Sequence, residues 1–324
     1  MKSFVFVLLL SLIVLLIVPS CSQVENPWNK KSDSGDNGGN ADSGDSGDKG
    51  DGAVSWAGIR VSSYGMEDAY GDDNFPNVTK MMKFADQMQG NFSGSTGAFI
   101  WIVGTVSESN WSCRLEFPLS KEIPYVSGIK WDKAESYLTA CDQAGYSVWL
   151  QVEPGNADLS ALATEVMSHY KDHPCVKGFG IDVEWYKPEG TDGEGSPLTA
   201  TEANKVLKAV RKINPDYTVF VKHWDEDFLP PAKNGFIYVN DSQGFKAWKD
   251  NTALENMRNE FSNWAETFAP CPVMFQIGYR ADRPIWKTFK DPAKELGQYL
   301  ADGCTSGNDI GIIWVDFTLN EVIK

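Results

Sequence analysis

The amino-acid sequence predicts a (β/α)8 TIM barrel, and three observations carry the prediction. From Trp56 onward the chain holds eight short, apolar, β-like runs. Between them lie stretches with the three-to-four-residue apolar repeat of amphipathic helices, and strand–helix alternation of this kind builds a parallel sheet with crossover helices. Run after run begins aliphatic and finishes polar, and the C-terminal ends of the strands are where a barrel assembles its active site.

The first segment lies outside that pattern. Lys2 precedes FVFVLLLSLIVLLIV, an apolar core of signal-peptide length. Val18-Pro19-Ser20-Cys21 follows and resembles the lipobox of bacterial lipoproteins. Residues 1–20 are therefore expected to be a lipoprotein signal peptide and Cys21 the lipidated residue, with an uncleaved membrane anchor as the alternative. Either places the remainder on the extracytoplasmic side of the cell envelope, held to the membrane only through this end. Residues 21–55 are dominated by Asp, Gly, Ser and Asn, as in SDSGDNGGNADSGDSGDKGDG. Such a segment cannot bury enough apolar surface to offset the entropy of ordering it, so a disordered tether is expected. Residues 56–324 are left for the barrel.

The predicted strands are GIRVSSY (58–64), GAFIWIVGTV (97–106), YSVWLQVE (146–153), VKGFGIDVEW (176–185), YTVFVKHW (217–224), GFIYVND (235–241), PVMFQIGY (272–279) and DIGIIWVDF (309–317). Helical patterns occur at WDKAESYLTACDQAG, DLSALATEVMSHYKDH, TATEANKVLKAVRKI and NTALENMRNEFSNWAETF. Thr199, with Glu202 three residues on, fits a capping box at the start of the third. The rival architecture is a doubly wound open sheet. GxGxxG and GxxxxGK[ST] are both absent, so a nucleotide cofactor has no support, and none is expected. The formal net charge of −15, without a basic run, argues against a nucleic-acid partner. A monomer is expected.

Asp182 and Glu184 stand one residue apart in KGFGIDVEW. Side chains alternate along a strand, so both point the same way. Acids on the inward face of a buried strand are paired or functional. Two carboxylates this close do not both ionise cheaply, and the one that keeps its proton can serve as a general acid. The competing reading neutralises the pair with Lys222 or Arg280. Polar residues end other runs as well: Glu153, His223 with Asp225, Tyr238 with Asn240 and Asp241, Gln276 with Tyr279, and Asp316. Trp185 and Trp224, with Trp101, Trp149 and Trp286, are candidates to line a cleft. A chain with 12 Trp, 11 Tyr and 17 Phe has rings to spare for stacking on sugars.

The run Lys177-Gly178-Phe179-Gly180-Ile181-Asp182-Val183-Glu184 resembles the D-G-x-D-x-D-x-E motif of glycoside hydrolase family eighteen, the chitinase-like barrels. The last Asp, the Glu and the first Gly match; Lys177 and Gly180 replace two Asp residues. IYVNDSQGF, QIGYRADRPIW and IGIIWVDF are similar to later strands of that family. The resemblance implies that Glu184 is the general acid and that Asp182 orients a substrate N-acetyl group acting as internal nucleophile. It implies sugar contacts from Asn240 or Asp241 with Tyr279, and a stacking floor at Trp314. IDVEW also resembles the Asp-x-Glu pair of family twenty-five muramidases. A third arrangement pairs Glu184 with Glu153, Asp241 or Asp316 as base or nucleophile.

His169 and His173 fall in or just after a polar helix and are expected at the surface. His223 is a candidate for contact with substrate hydroxyls. No CxxC is present, and no metal is expected. Cys141 and Cys175, and likewise Cys271 and Cys304, precede neighbouring strands, so Cys141–Cys175 and Cys271–Cys304 disulfides are expected, with Cys113 a spare thiol. The expectation is an extracytoplasmic glycoside hydrolase acting on an N-acetylated polysaccharide or glycan; the alternative is a non-catalytic carbohydrate-binding lipoprotein using the same cleft.

Overall fold

The computed structural model describes residues 53–71, 74–191, 193–248 and 252–323. The signal segment, Cys21 and most of the expected tether lie outside the described residues. In chain order the strands are β1 (Val54–Val61), β2 (Thr96–Ser107), β3 (Ser112–Leu115), β4 (Val126–Gly128), β5 (Ser147–Val152), β6 (Val176–Asp182), β7 (Thr218–Lys222), β8 (Phe236–Asn240), β9 (Val273–Ile277) and β10 (Ile310–Trp314). Eight of them, all but β3 and β4, form a closed parallel barrel. The ring closes because β1 pairs with β10 on one side and β2 on the other. Each barrel strand overlaps one of the eight predicted runs. β3 folds back antiparallel on the end of β2, and β4 lies beside β3. Neither is long enough to show a periodic pattern, and the sequence reading did not contain them.

The helices are α1 (Ser63–Tyr70), α2 (Val78–Gly90), α3 (Glu135–Ala144), α4 (Leu159–His169), α5 (Ala200–Arg211), α6 (Ala253–Phe268), α7 (Arg283–Trp286), α8 (Pro292–Ala301) and α9 (Leu319–Val322). Their starts are written locally. Asn77 and Asp158 accept the backbone N–H groups that open α2 and α4. Thr199–Glu202 and Thr252–Glu255 form full capping boxes on α5 and α6. Among the described residues no helix is long and apolar enough to cross a membrane.

Alternation along each strand sorts side chains into two cores. Ala57, Ile59, Val61, Phe179, Ile181, Tyr238 and Trp314 face outward against the helices. Ala98, Ile100, Trp149, Phe220, Ile237, Val239, Met274 and Ile313 fill the barrel interior, with Trp56 packed against them. Gly180 leaves room for this filling: a methyl group there would overlap the Phe220 ring. The barrel axis is thus plugged with apolar side chains, and polar groups are confined to its ends.

The cysteines depart from expectation. Cys113, Cys141, Cys175, Cys271 and Cys304 are all buried free thiols, so neither expected disulfide is formed. Cys175 Sγ is turned onto the Leu138 carbonyl at 3.5 Å, and Cys304 Sγ onto the Leu300 carbonyl at 3.6 Å. Each donates to a main-chain oxygen rather than bonding a second sulfur.

Candidate active site

Beyond the apolar plug, toward the C-terminal ends of the strands, the inward positions turn polar. Arg60 from β1, Gln151 from β5 and Glu153 just after it, Asp182 from β6, Lys222 from β7, Asp241 after β8 and Gln276 from β9 converge there, none more than 6% exposed. Most outward alternates on the same strands are apolar, so these seven polar side chains gather on the inward side at one end of the barrel.

Lys222 is the hub. Its Nζ lies 2.5 Å from Asp241 Oδ2, 2.7 Å from Glu184 Oε1 and 3.2 Å from Asp182 Oδ1. Burial opposes the ammonium charge, but Asp182, Asp241 and Glu184 together hold it well above the usual lysine range. Of the two cations that could have neutralised the acid pair, Lys222 does so. Arg280 pairs with Asp68 at the surface.

The carboxyls around Lys222 differ in proton affinity. Glu184 sits on a short 3-10 turn (Val183–Trp185) just past β6, and its side chain is 22% exposed, the most open of the three. Burial raises its carboxyl well above the usual range, the Asp241 charge raises it further, and Lys222 works the other way. Asp241 is also buried, yet Lys222 and a hydrogen bond from Glu184 hold it below its usual value. Of the two, Glu184 has the raised proton affinity and Asp241 the lowered one. Asp182 lies deeper. Its Oδ2 accepts a 2.9 Å bond from Gln151 Nε2, and burial, against the pull of Lys222, pushes it up to about 6.

Glu153 sits beside this group. Its oxygens accept from Tyr64 Oη at 3.0 Å and from the Val106 N–H at 2.9 Å. Burial, then the charge of Asp182, pushes its carboxyl up to about 7. Tyr279 donates to Gln276 Oε1 at 3.0 Å. Gln151 Oε1, Gln276 Nε2 and Asp241 Oδ1 are buried polar atoms with no protein hydrogen-bond partner. Buried polar groups are normally satisfied, so three orphans in one cluster leave hydrogen bonds for water or for a polar ligand to make. Tyr64, Trp224 and Trp248, on segments that follow β1, β7 and β8, are 38%, 42% and 42% exposed, and Trp185 beside Glu184 is half-buried.

Several predicted site residues are elsewhere. Tyr238 and Asn240 share the outward face of β8: Tyr238 stacks on Phe268 at 3.9 Å, and Asn240 Nδ2 donates to Glu260 at 2.9 Å. Trp314 faces outward too, packed edge-on to Trp286 with its Nε1 donating to Thr318 at 3.0 Å, so it is not a sugar floor. Asp316 is engaged by Arg60 Nη2 at 2.5 Å and by the Ser62 N–H and hydroxyl at 2.6 Å each. Both ring nitrogens of His223 are taken: Nδ1 accepts the Asp225 N–H at 2.8 Å, and Nε2 donates to the Glu194 carbonyl at 2.9 Å. Asp225 caps the next 3-10 turn by accepting from Asp227 N–H. Trp101 and Trp286 are buried in the outer core, and Trp149 in the plug.

Arg60 and Tyr64 were missed. Arg60 was findable, because in GIRVSSY it occupies the inward register continuing from Trp56 and Gly58. Tyr64 carries no such signal; it lies in the first turn of α1, and only the fold brings its hydroxyl to Glu153.

No family model matches the chain, and no curated protein matches it. Among solved structures it is similar to the catalytic domain of the major endoglucanase from Xanthomonas campestris pv. campestris, with a TM-score of 0.45 and 15% identity over 81% of this chain and 86% of that one. It is similar to an endo-1,4-beta-mannanase from Eisenia fetida, with a TM-score of 0.44 and 10% identity over 84% and 90% of the two chains. It is also similar to a beta-glucuronidase from an uncultured Clostridium species, with a TM-score of 0.39 and 14% identity over 67% of this chain, and spans 37% of that protein. No residue role rests on these likenesses.

Proposed function

We propose that this chain is a glycoside hydrolase that acts on an N-acetylated glycan outside the cytoplasm, with Glu184 as its general acid. One observation carries the reading: Glu184 is the most open carboxyl of the cluster, with Lys222 at 2.7 Å, and burial and the Asp241 charge raise its proton affinity. Protonated Glu184 donates to the glycosidic oxygen as the bond to the leaving group breaks. The carboxylate left behind faces the Lys222 ammonium, which stabilises it and limits the cost of giving up the proton. Asp182 is buried under Lys222 and Gln151, so on this reading it tunes the cluster electrostatically rather than gripping an acetamido group. Asp316 is held by Arg60, and Asp241 by Lys222. Glu153, held by neutral donors rather than by a cation, is then the carboxylate left to act as base where the substrate's own N-acetyl oxygen is not the nucleophile. The N-acetylated substrate rests on the Asp182–Glu184 resemblance to chitinase-like barrels, and the location rests on the segment ending at Cys21.

A second reading has its own support. Lys222 already compensates the carboxylates, and a compensated cluster with orphan polar atoms also suits a site that binds sugar without cleaving it. The two separate in one experiment. Purified protein is incubated with chitin oligosaccharides and with peptidoglycan, and new reducing ends are measured for wild type and Glu184→Gln. Cleavage by wild type that falls roughly 10²-fold or more in the variant supports the acid assignment. Cleavage undiminished in the variant overturns it. Calorimetric binding without cleavage establishes the binding protein instead.

A further inference from the structure

The opposite rim of the barrel carries a second cluster that the proposed chemistry does not use. Asp142 closes α3 just before β5, and His173 and Cys175 lie in the connection from α4 to β6. One ligand atom from each, a carboxylate oxygen, an imidazole nitrogen and the thiol sulfur, all fall within 4.8 Å of one another. The sequence offers no CxxC and places His173 at the surface. The structure instead half-buries His173 between two acids and buries Cys175.

We propose that Asp142, His173 and Cys175 bind a Zn2+ ion at the N-terminal rim, with solvent as the fourth ligand. The donor set suits it: carboxylate, imidazole and thiolate are the ligands that tetrahedral zinc accepts. The supporting contacts are arranged as around a metal. His173 Nδ1 faces Asp142 Oδ2 at 2.7 Å, while its far nitrogen, Nε2, is held by Glu135 Oε2 at 3.2 Å. A carboxylate on the far nitrogen is the usual outer support of a metal-bound histidine. Asp142 is fixed in the same manner, since its Oδ1 accepts the Cys175 N–H at 2.8 Å and leaves Oδ2 turned to the cluster. In the metal-free protein Asp142 bridges His173 and the Cys175 N–H, and the Cys175 thiol donates to the Leu138 carbonyl. On binding, Zn2+ replaces the proton between His173 Nδ1 and Asp142 Oδ2 and the proton on the Cys175 thiol, and both leave to solvent. The ion would tie α3 to the strand that ends in Asp182 without touching the carboxyl cluster.

The test is made on the full chain, stripped with a chelator and titrated with Co2+ as a spectroscopic stand-in for zinc. The expected result is a thiolate-to-cobalt charge-transfer band in the near ultraviolet that saturates at one equivalent, is displaced by Zn2+, and is lost in Cys175→Ser but kept in Cys113→Ser. Glu135→Gln should keep the band and weaken binding roughly 10- to 100-fold. The wild-type spectrum decides even where a variant does not fold: no band at saturating Co2+, together with no rise in melting temperature on adding Zn2+, overturns the proposal. A band that persists in Cys175→Ser also overturns it.

Discussion

The Phe220 ring occupies the space that a side chain at Gly180 would need. These two residues are neighbours in register on β6 and β7. The barrel axis beside Asp182 is filled by an aromatic ring, and the charged groups gathered at Glu184 come from other strands: Lys222 from β7 and, bound to the same ammonium, Asp241 from the end of β8.

That relationship predicts a coupled pair of substitutions. Gly180→Ala should destabilise the barrel by about 1–3 kcal/mol through overpacking. Combined with Phe220→Leu, which shortens the opposing side chain, it should cost less than the two single changes summed. Urea unfolding of the four proteins measures the coupling, and strict additivity would show that the two positions do not compete for space.

Asp241→Asn tests what raises the proton affinity of Glu184. The Asp241 charge helps keep Glu184 protonated, while Lys222 pulls the other way. With that charge removed and Lys222 retained, Glu184 should ionise at lower pH. The alkaline limb of kcat/KM, which reports loss of the acid's proton, should therefore move to lower pH. A limb that stays in place would separate Asp241 from the catalytic proton.

Glu153 makes a stability prediction. Its carboxyl is pushed up to about 7 from an ordinary value of 4.5. Between those values the folded chain still holds a proton that the unfolded chain has released. This site's contribution to stability should therefore fall as pH rises through that window, by up to about 3 kcal/mol. Glu153→Gln should remove that component and flatten the profile. Chemical denaturation at pH 5 and pH 7.5 is the measurement, and an unchanged difference between wild type and variant would count against the burial argument.

The cysteines give a direct chemical test. Cys113, Cys141, Cys175, Cys271 and Cys304 are buried thiols. Iodoacetamide should leave all five largely unmodified in the native protein and alkylate all five once denaturant is added without reductant. Pairs that stay unmodified in denaturant would be disulfides after all.

Much of this was legible in the chain alone. All eight barrel strands were marked by apolar runs, because a buried parallel strand must be apolar on both faces. The Thr199 capping box was readable because a helix start is settled by residues three apart. Asp182 and Glu184 were identifiable because acids are rare at the end of so apolar a run, although β6 stops at Asp182 and Glu184 reaches Lys222 from the 3-10 turn beyond it rather than by strand alternation. Tertiary structure decided the rest, because it depends on which strands become neighbours and on which way each strand faces. Tyr238, Asn240 and Trp314 look like site residues by position at a strand end, and one step of register sends them to the helices. Asp316 was consumed by Arg60 from the first strand, and His223 by loop backbone, pairings that no local spacing announces. The cluster on Lys222 joins three strands separated by tens of residues. The raised proton affinity of Glu184 is set there, first by burial and then by the Asp241 charge against Lys222, with Asp182 of its own motif adding a smaller share.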